Sequence, residues 1–138
     1  MELLSSPKTI YLLEADLEVL HEESREWLNE INYWRDEIAF FYTLMVKKAD
    51  KNSFRENKNE LIHIQEELLK MSGKEFGDLE AVINQHENYL DLLATNFLKN
   101  DRVFRDKHKA ISFQIREFDI RIRNLKNKIF SLVKKNNS

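Results

Sequence analysis

Between Glu14 and Ala49 the chain runs without a glycine or a proline. Within that run apolar residues recur at Leu17, Leu20, Trp27, Ile31, Trp34, Ile38, Phe41 and Met45, continuing a spacing that starts at Ile10 and Leu13. Steps of three and four place all of them on one side of an α-helix, because about 3.6 residues make a turn. Val19, Leu28, Tyr33, Phe40, Tyr42 and Leu44 flank the stripe and widen it beyond the seam of a two-stranded coil. Ser24 stands in the stripe where an apolar residue is expected. The remainder of the chain must therefore supply the surface that covers this helix.

It has few means of doing so except with more helices. The 138 residues include only two glycines and one proline, too few turn residues for a sheet or a loop-rich fold. Ser6-Pro7 reads as a helix start, with Ser as N-cap and Pro in the first turn. The first helix should stop near Asp50-Lys51-Asn52, and Ser53-Phe54-Arg55-Glu56 has the form of a capping box that opens the next. Its stripe is Phe54, Leu61, Ile64, Leu68 and Met71. Both glycines then fall in 72–78, where Ser72-x-x-Glu75 offers a second capping box and so a break. Against a break, a heptad phase runs on through Leu68, Ser72, Phe76, Leu79, Ile83, His86, Leu90, Leu93 and Phe97. Asn100-Asp101 caps a last helix with the cleanest stripe of all: Phe104, His108, Ile111, Ile115, Phe118, Ile122, Leu125, Ile129 and Leu132.

Helices over about 7–50, 53–99 and 101–135 would be roughly 65, 70 and 50 Å long at about 1.5 Å per residue. Rods of similar length cover one another along most of their run. The sequence thus predicts an all-α fold, an elongated antiparallel three-helix bundle forming one domain over 1–138. The middle helix is expected to be kinked or broken near 72–78. A complete break there gives the alternative, a four-helix up-down-up-down bundle.

Several function classes find no residues to carry them. Without cysteine there is no thiol chemistry and no zinc–thiolate site. No apolar run approaches the roughly 20 residues of a membrane span, and Glu2 stands where a signal peptide carries basic residues. A soluble cytoplasmic protein is the expectation. Ser5, Ser6, Ser53, Ser72 and Ser112 lie in caps, ends or polar helix faces, glycine motifs that cradle phosphate are lacking, and adjacent carboxylates such as Asp36-Glu37 do not face one another on a helix. No catalytic residue, no cofactor and no enzymatic activity are expected.

Three readings remain. Tyr33, Phe40 and Leu44 on the first helix, with Phe113 and Ile120 on the last, lie off the main stripes and form a candidate interaction surface. They predict a homo-oligomer or a helical protein partner for a structural or interaction module. The second reading is a metal site. Glu60-x-x-His63 has the spacing of di-iron bundles but lacks a second such motif. His86 is expected level with Leu17 and about a turn from His21, so His21 and His86, with Glu22 or Glu87, are the metal candidates. The third is a nucleic-acid or anionic-surface binder. Residues 99–138 are rich in Lys and Arg, whereas Glu14, Asp16, Glu18, Glu22, Glu23, Glu26 and Glu30 make the first helix acidic. Charge pairing across the bundle explains the same asymmetry, and Phe104 and Phe118 lie on the core stripe rather than among the cations, so nucleic acid is the less expected partner.

The segment His21-x5-Trp27-Leu28-Asn29-Glu30-Ile31-Asn32-Tyr33-Trp34-Arg35-Asp36-Glu37-Ile38, together with His86-Glu87-Asn88, resembles a pattern in uncharacterised bacterial proteins made of long helices. The resemblance implies a helical bundle with an uninterrupted second helix, from which Gly73 and Gly77 depart. It assigns no activity and no functional residue.

Overall fold

The computed structural model describes residues 17–50, 55–96 and 101–135, all of them helical. Helix α1 is Leu17–Asp50. After a 3₁₀ turn at Arg55–Asn57 comes α2, made of two α-helical segments, Lys58–Lys70 and Phe76–Asn96, joined by a π-helical turn at Met71–Glu75. Helix α3 is Asp101–Lys135. There are thus three helices, one of them joined from bent pieces, and among the described residues no strand. The caps expected at Ser6-Pro7, Ser53 and Asn100 lie outside the described residues. The second helix opens on the 3₁₀ turn, and Asn57 makes no side-chain cap bond to it.

Region 72–78 is neither a loop nor an even α-helix. Backbone dihedrals stay helical on both sides, with φ −62° at Lys70 and −64° at Phe76. The Phe76 N–H donates to the Met71 carbonyl, a step of five residues in place of four. The buried positions of α2 follow the same step: Leu61, Ile64, Leu68 and Met71, then Phe76, Leu79, Ile83, His86 and Leu90. One extra residue is accommodated between Met71 and Phe76, and the stripes on either side stay in phase. This corrects two expectations. Ser72 is exposed, so the phase passes through Met71 instead; and its hydroxyl donates to the Leu69 carbonyl at 3.4 Å rather than capping a new helix. The full break required by a four-helix bundle is not formed.

The three stripes meet in one core. Trp27, Ile31, Trp34, Ile38, Phe41 and Met45 of α1 are buried with Leu61 through Ile83 of α2 and Ile111 through Leu132 of α3. At its centre Trp34 stacks on Phe76 and Phe118, ring centroids 6.2 and 6.3 Å away, so each helix contributes one ring. Cross-helix charge pairs border this layer. Arg35 of α1 donates two bonds to Glu80 of α2 at 2.7 and 2.6 Å. Arg121 of α3 donates two to Glu75, inside the π turn, at 2.5 and 3.1 Å. These guanidinium partners hold the Glu75 and Glu80 carboxyls below the usual carboxylate range.

Candidate functional site

One layer of the core is polar. Ser24, His86 and His108 are 0%, 3% and 0% exposed. Each comes from a different helix, and each stands between the same two apolar clusters. On one side the large core begins at Trp27, Ile83 and Ile111. On the other lies a small cluster of Leu20, Leu90 and Phe104, with Leu17 and Tyr89 against it. The serine is the smallest member, and the two imidazoles fill the layer. His86 stacks flat on Phe104, with centroids 4.0 Å apart and planes 3° from parallel, while Trp27 covers His108 at 4.5 Å.

The imidazoles are joined in series. His108 Nε2 lies 2.7 Å from Glu23 Oε1, and its Nδ1 lies 3.0 Å from His86 Nε2. A carboxylate accepts, so His108 donates from Nε2 and presents a lone pair at Nδ1. His86 must then donate from Nε2, which leaves its own Nδ1 as a lone pair. That nitrogen is buried and has no hydrogen-bond partner. A second contact closes the same end of the molecule: His21 of α1 is hydrogen-bonded through Nδ1 to Glu87 of α2. Glu87 Oε1 and Ser24 Oγ are also buried without partners.

Burial pushes His86 down to about 4, and the neighbouring His108 and Lys107 charges add to the shift. The ring is neutral at pH 7 and can accept a proton only at a cost. Beside it a groove of about 280 Å³ runs between α2 and α3, lined by Gln85, Tyr89, Lys107 and Gln114 among others. The layer can order the three helices against one another and can hold or move a proton along two hydrogen bonds.

The sequence-based candidates fall out as follows. His21 and His86 come to the same end of the molecule, but His21 binds Glu87 whereas His86 turns to His108. Among the described residues no group of three or more His, Asp or Glu is placed to hold a metal ion. His63 is exposed. Tyr33, Phe40, Phe113 and Ile120 are exposed. Leu44 is not: it is half-buried and packs against the core beside Met45. Sequence reasoning put His108 on the core stripe without giving it a role, and it missed Glu23. The available signal was that all three stripes contain a polar residue, Ser24, His86 and His108, that could share one layer.

The basic face of α3 is partly engaged inside the molecule. Arg121 pairs with Glu75 and Glu67, Lys126 with Glu37 and Lys135 with Glu60. Among the described residues no helix is long and apolar enough to cross a membrane.

Comparison with known proteins gives no family to lean on. No protein-family model, no curated protein and no solved structure matches the chain.

Proposed function

We propose that the chain is an antiparallel three-helix bundle that acts as a non-enzymatic interaction or structural module and associates with itself. Support for the arrangement comes from the cross-helix pairs. Going up α1, from His21 to Arg35, the α2 partners go down, from Glu87 to Glu80. From Glu23 to Glu37 the α3 partners rise, from His108 to Lys126. Such numbering fits helices running up, down and up, each antiparallel to the next in the chain.

The observation that carries the association is an aromatic run leading out of the core. Phe41, in the core, meets Phe40 and Phe130 edge to face at 5.4 and 5.8 Å. Both outer rings face solvent, Phe40 at 65% and Phe130 at 57% exposure, on two different helices. Tyr33 lies two turns before Phe40 on the same side of α1 and is 61% exposed. Exposed aromatic rings grouped around one core residue mark an interface. The cation–carboxylate pairs of α3 favour this reading over nucleic-acid binding, since they engage part of its basic charge within the molecule.

Light scattering across micromolar to millimolar protein tests the proposal. A dimer or larger species is expected, and the Phe40→Ser/Phe130→Ser variant should shift it toward monomer by tenfold or more in dissociation constant, about 1.4 kcal/mol. A wild-type protein that stays monomeric throughout the range contradicts it.

A further inference from the structure

We propose that the Ser24–His86–His108 layer is a proton-operated latch, which on protonation releases the packing of Leu20, Leu90 and Phe104 while the main core stays packed. Glu23 accepts from His108, and His108 accepts from His86, so every site between the two rings is already filled. Suppose a proton is added and both bonds are kept. If it goes to His86, it sits on Nδ1. If it goes to His108 Nδ1, His86 must accept at Nε2 and again carry its hydrogen on Nδ1. Either way a hydrogen ends at His86 Nδ1, which is buried with no partner to receive it. An unsatisfied buried donor next to a buried charge is costly, and opening the layer to water removes that cost.

The charged surroundings do not relieve it. From α3, His108 and Lys107 act on His86, while on the α1 side Glu23 is bonded to His108 and His21 to Glu87. The cations on α3 oppose a further positive charge, and Glu23 is engaged by the far nitrogen of His108. His21 is bonded to Glu87 and is 38% exposed, so solvent screens it from the layer.

The position of the layer decides what opens. Among the described residues it separates Leu20, Leu90 and Phe104, with Leu17 and Tyr89 against them, from the larger cluster that starts at Trp27. The small cluster cannot stay closed by itself once the imidazole pair has parted, whereas the large one loses only its end wall. The sign follows from linkage: with the layer closed, His86 resists a proton down to about 4, whereas once exposed it accepts one near the ordinary 6.5. Closure is therefore fully favoured above pH 6.5 and is progressively lost as pH falls toward 4.

Hydrogen exchange read by segment, corrected for the intrinsic effect of pH, tests the latch in the intact chain. Between about pH 7.5 and about pH 5, segments 17–24, 86–92 and 102–108 should lose protection roughly thirtyfold relative to 31–45. Equal protection at the two pH values, or a loss spread evenly along the chain, overturns the proposal. The His86→Leu/His108→Leu variant replaces both partners with apolar groups and should abolish the selective response. A folded double variant that keeps the response also overturns it. If that variant does not fold, the wild-type comparison decides alone. The latch does not depend on self-association, and the exchange pattern is read at a concentration below any dimerisation.

Discussion

Replacing Trp34 with alanine is expected to lower the stability of the fold by about 4 kcal/mol, the range found when a buried aromatic ring is removed. Trp34 is 2% exposed, and its indole packs against both Phe76 of α2 and Phe118 of α3. Those two rings are themselves 5.9 Å apart, so the three form one layer with a member from each helix. The void left by alanine cannot close by moving one helix without pulling it from the other two. The neighbouring Tyr33 is the control. It is of similar size but 61% exposed, so Tyr33→Ala should change stability by less than about 1 kcal/mol. Urea unfolding followed by circular dichroism measures both. A protein of this size is stable by about 5–15 kcal/mol, so the Trp34 variant loses a large share of its margin. Similar effects at the two positions would mean that the stripe through Trp34 is not the centre of the core.

Two single-residue deletions in α2 should behave in opposite ways. Removing Gly73 shortens the step from Met71 to Phe76 from five residues to four, which an ordinary α-helix spans with its apolar face intact. Nothing lies near the Gly73 or Gly77 Cα positions that a side chain would strike, so neither glycine is there to admit a close neighbour. The Gly73 deletion should fold, with stability within about 1 kcal/mol of the parent. Removing Glu66 instead turns one part of the stripe by roughly 100° against the rest. Either Leu61 and Ile64 or Leu68 and Met71 then leave the core, and all four are now buried. At about 2–5 kcal/mol for each lost core side chain, the Glu66 deletion should not fold cooperatively. Thermal unfolding separates the outcomes. If both deletions are equally harmful, the π turn is not a phase correction.

That turn also shows how much of the fold was legible beforehand. Apolar spacing alone located α1 through Trp27–Met45 and gave α3 the limits it has, because those stripes are long and unbroken. It misplaced the middle of α2, since a template of threes and fours prefers Ser72 to a five-residue step from Met71. The five-residue step was visible but has no meaning until the Phe76 N–H is seen to reach the Met71 carbonyl. The polar layer was half legible. Ser24, His86 and His108 each appeared as an interruption of an apolar stripe, but their alignment depends on the relative shift of three helices, which periodicity does not fix. Glu23 was hidden for the same reason, as a carboxylate in an acidic helix face that gains its meaning only from the imidazole opposite. Leu44 was misjudged because a stripe edge covered by a half-buried neighbour looks the same in sequence as one left bare.

The up-down-up order of the helices is the claim on which the latch, the aromatic layer and the proposed interface all rest. The chain has no cysteine, so pairs of spin labels can be placed at will. Glu22, Lys109 and Lys128 are all exposed. With Glu23 level with His108, labels at Glu22→Cys and Lys109→Cys should lie within roughly 20 Å, and labels at Glu22→Cys and Lys128→Cys roughly 30–35 Å apart, given about 1.5 Å per residue along α3. Measured in protein diluted with unlabelled chain, a short first distance and a long second one is the predicted result. The reverse order, with Lys128 near Glu22 and Lys109 far from it, would contradict the arrangement outright.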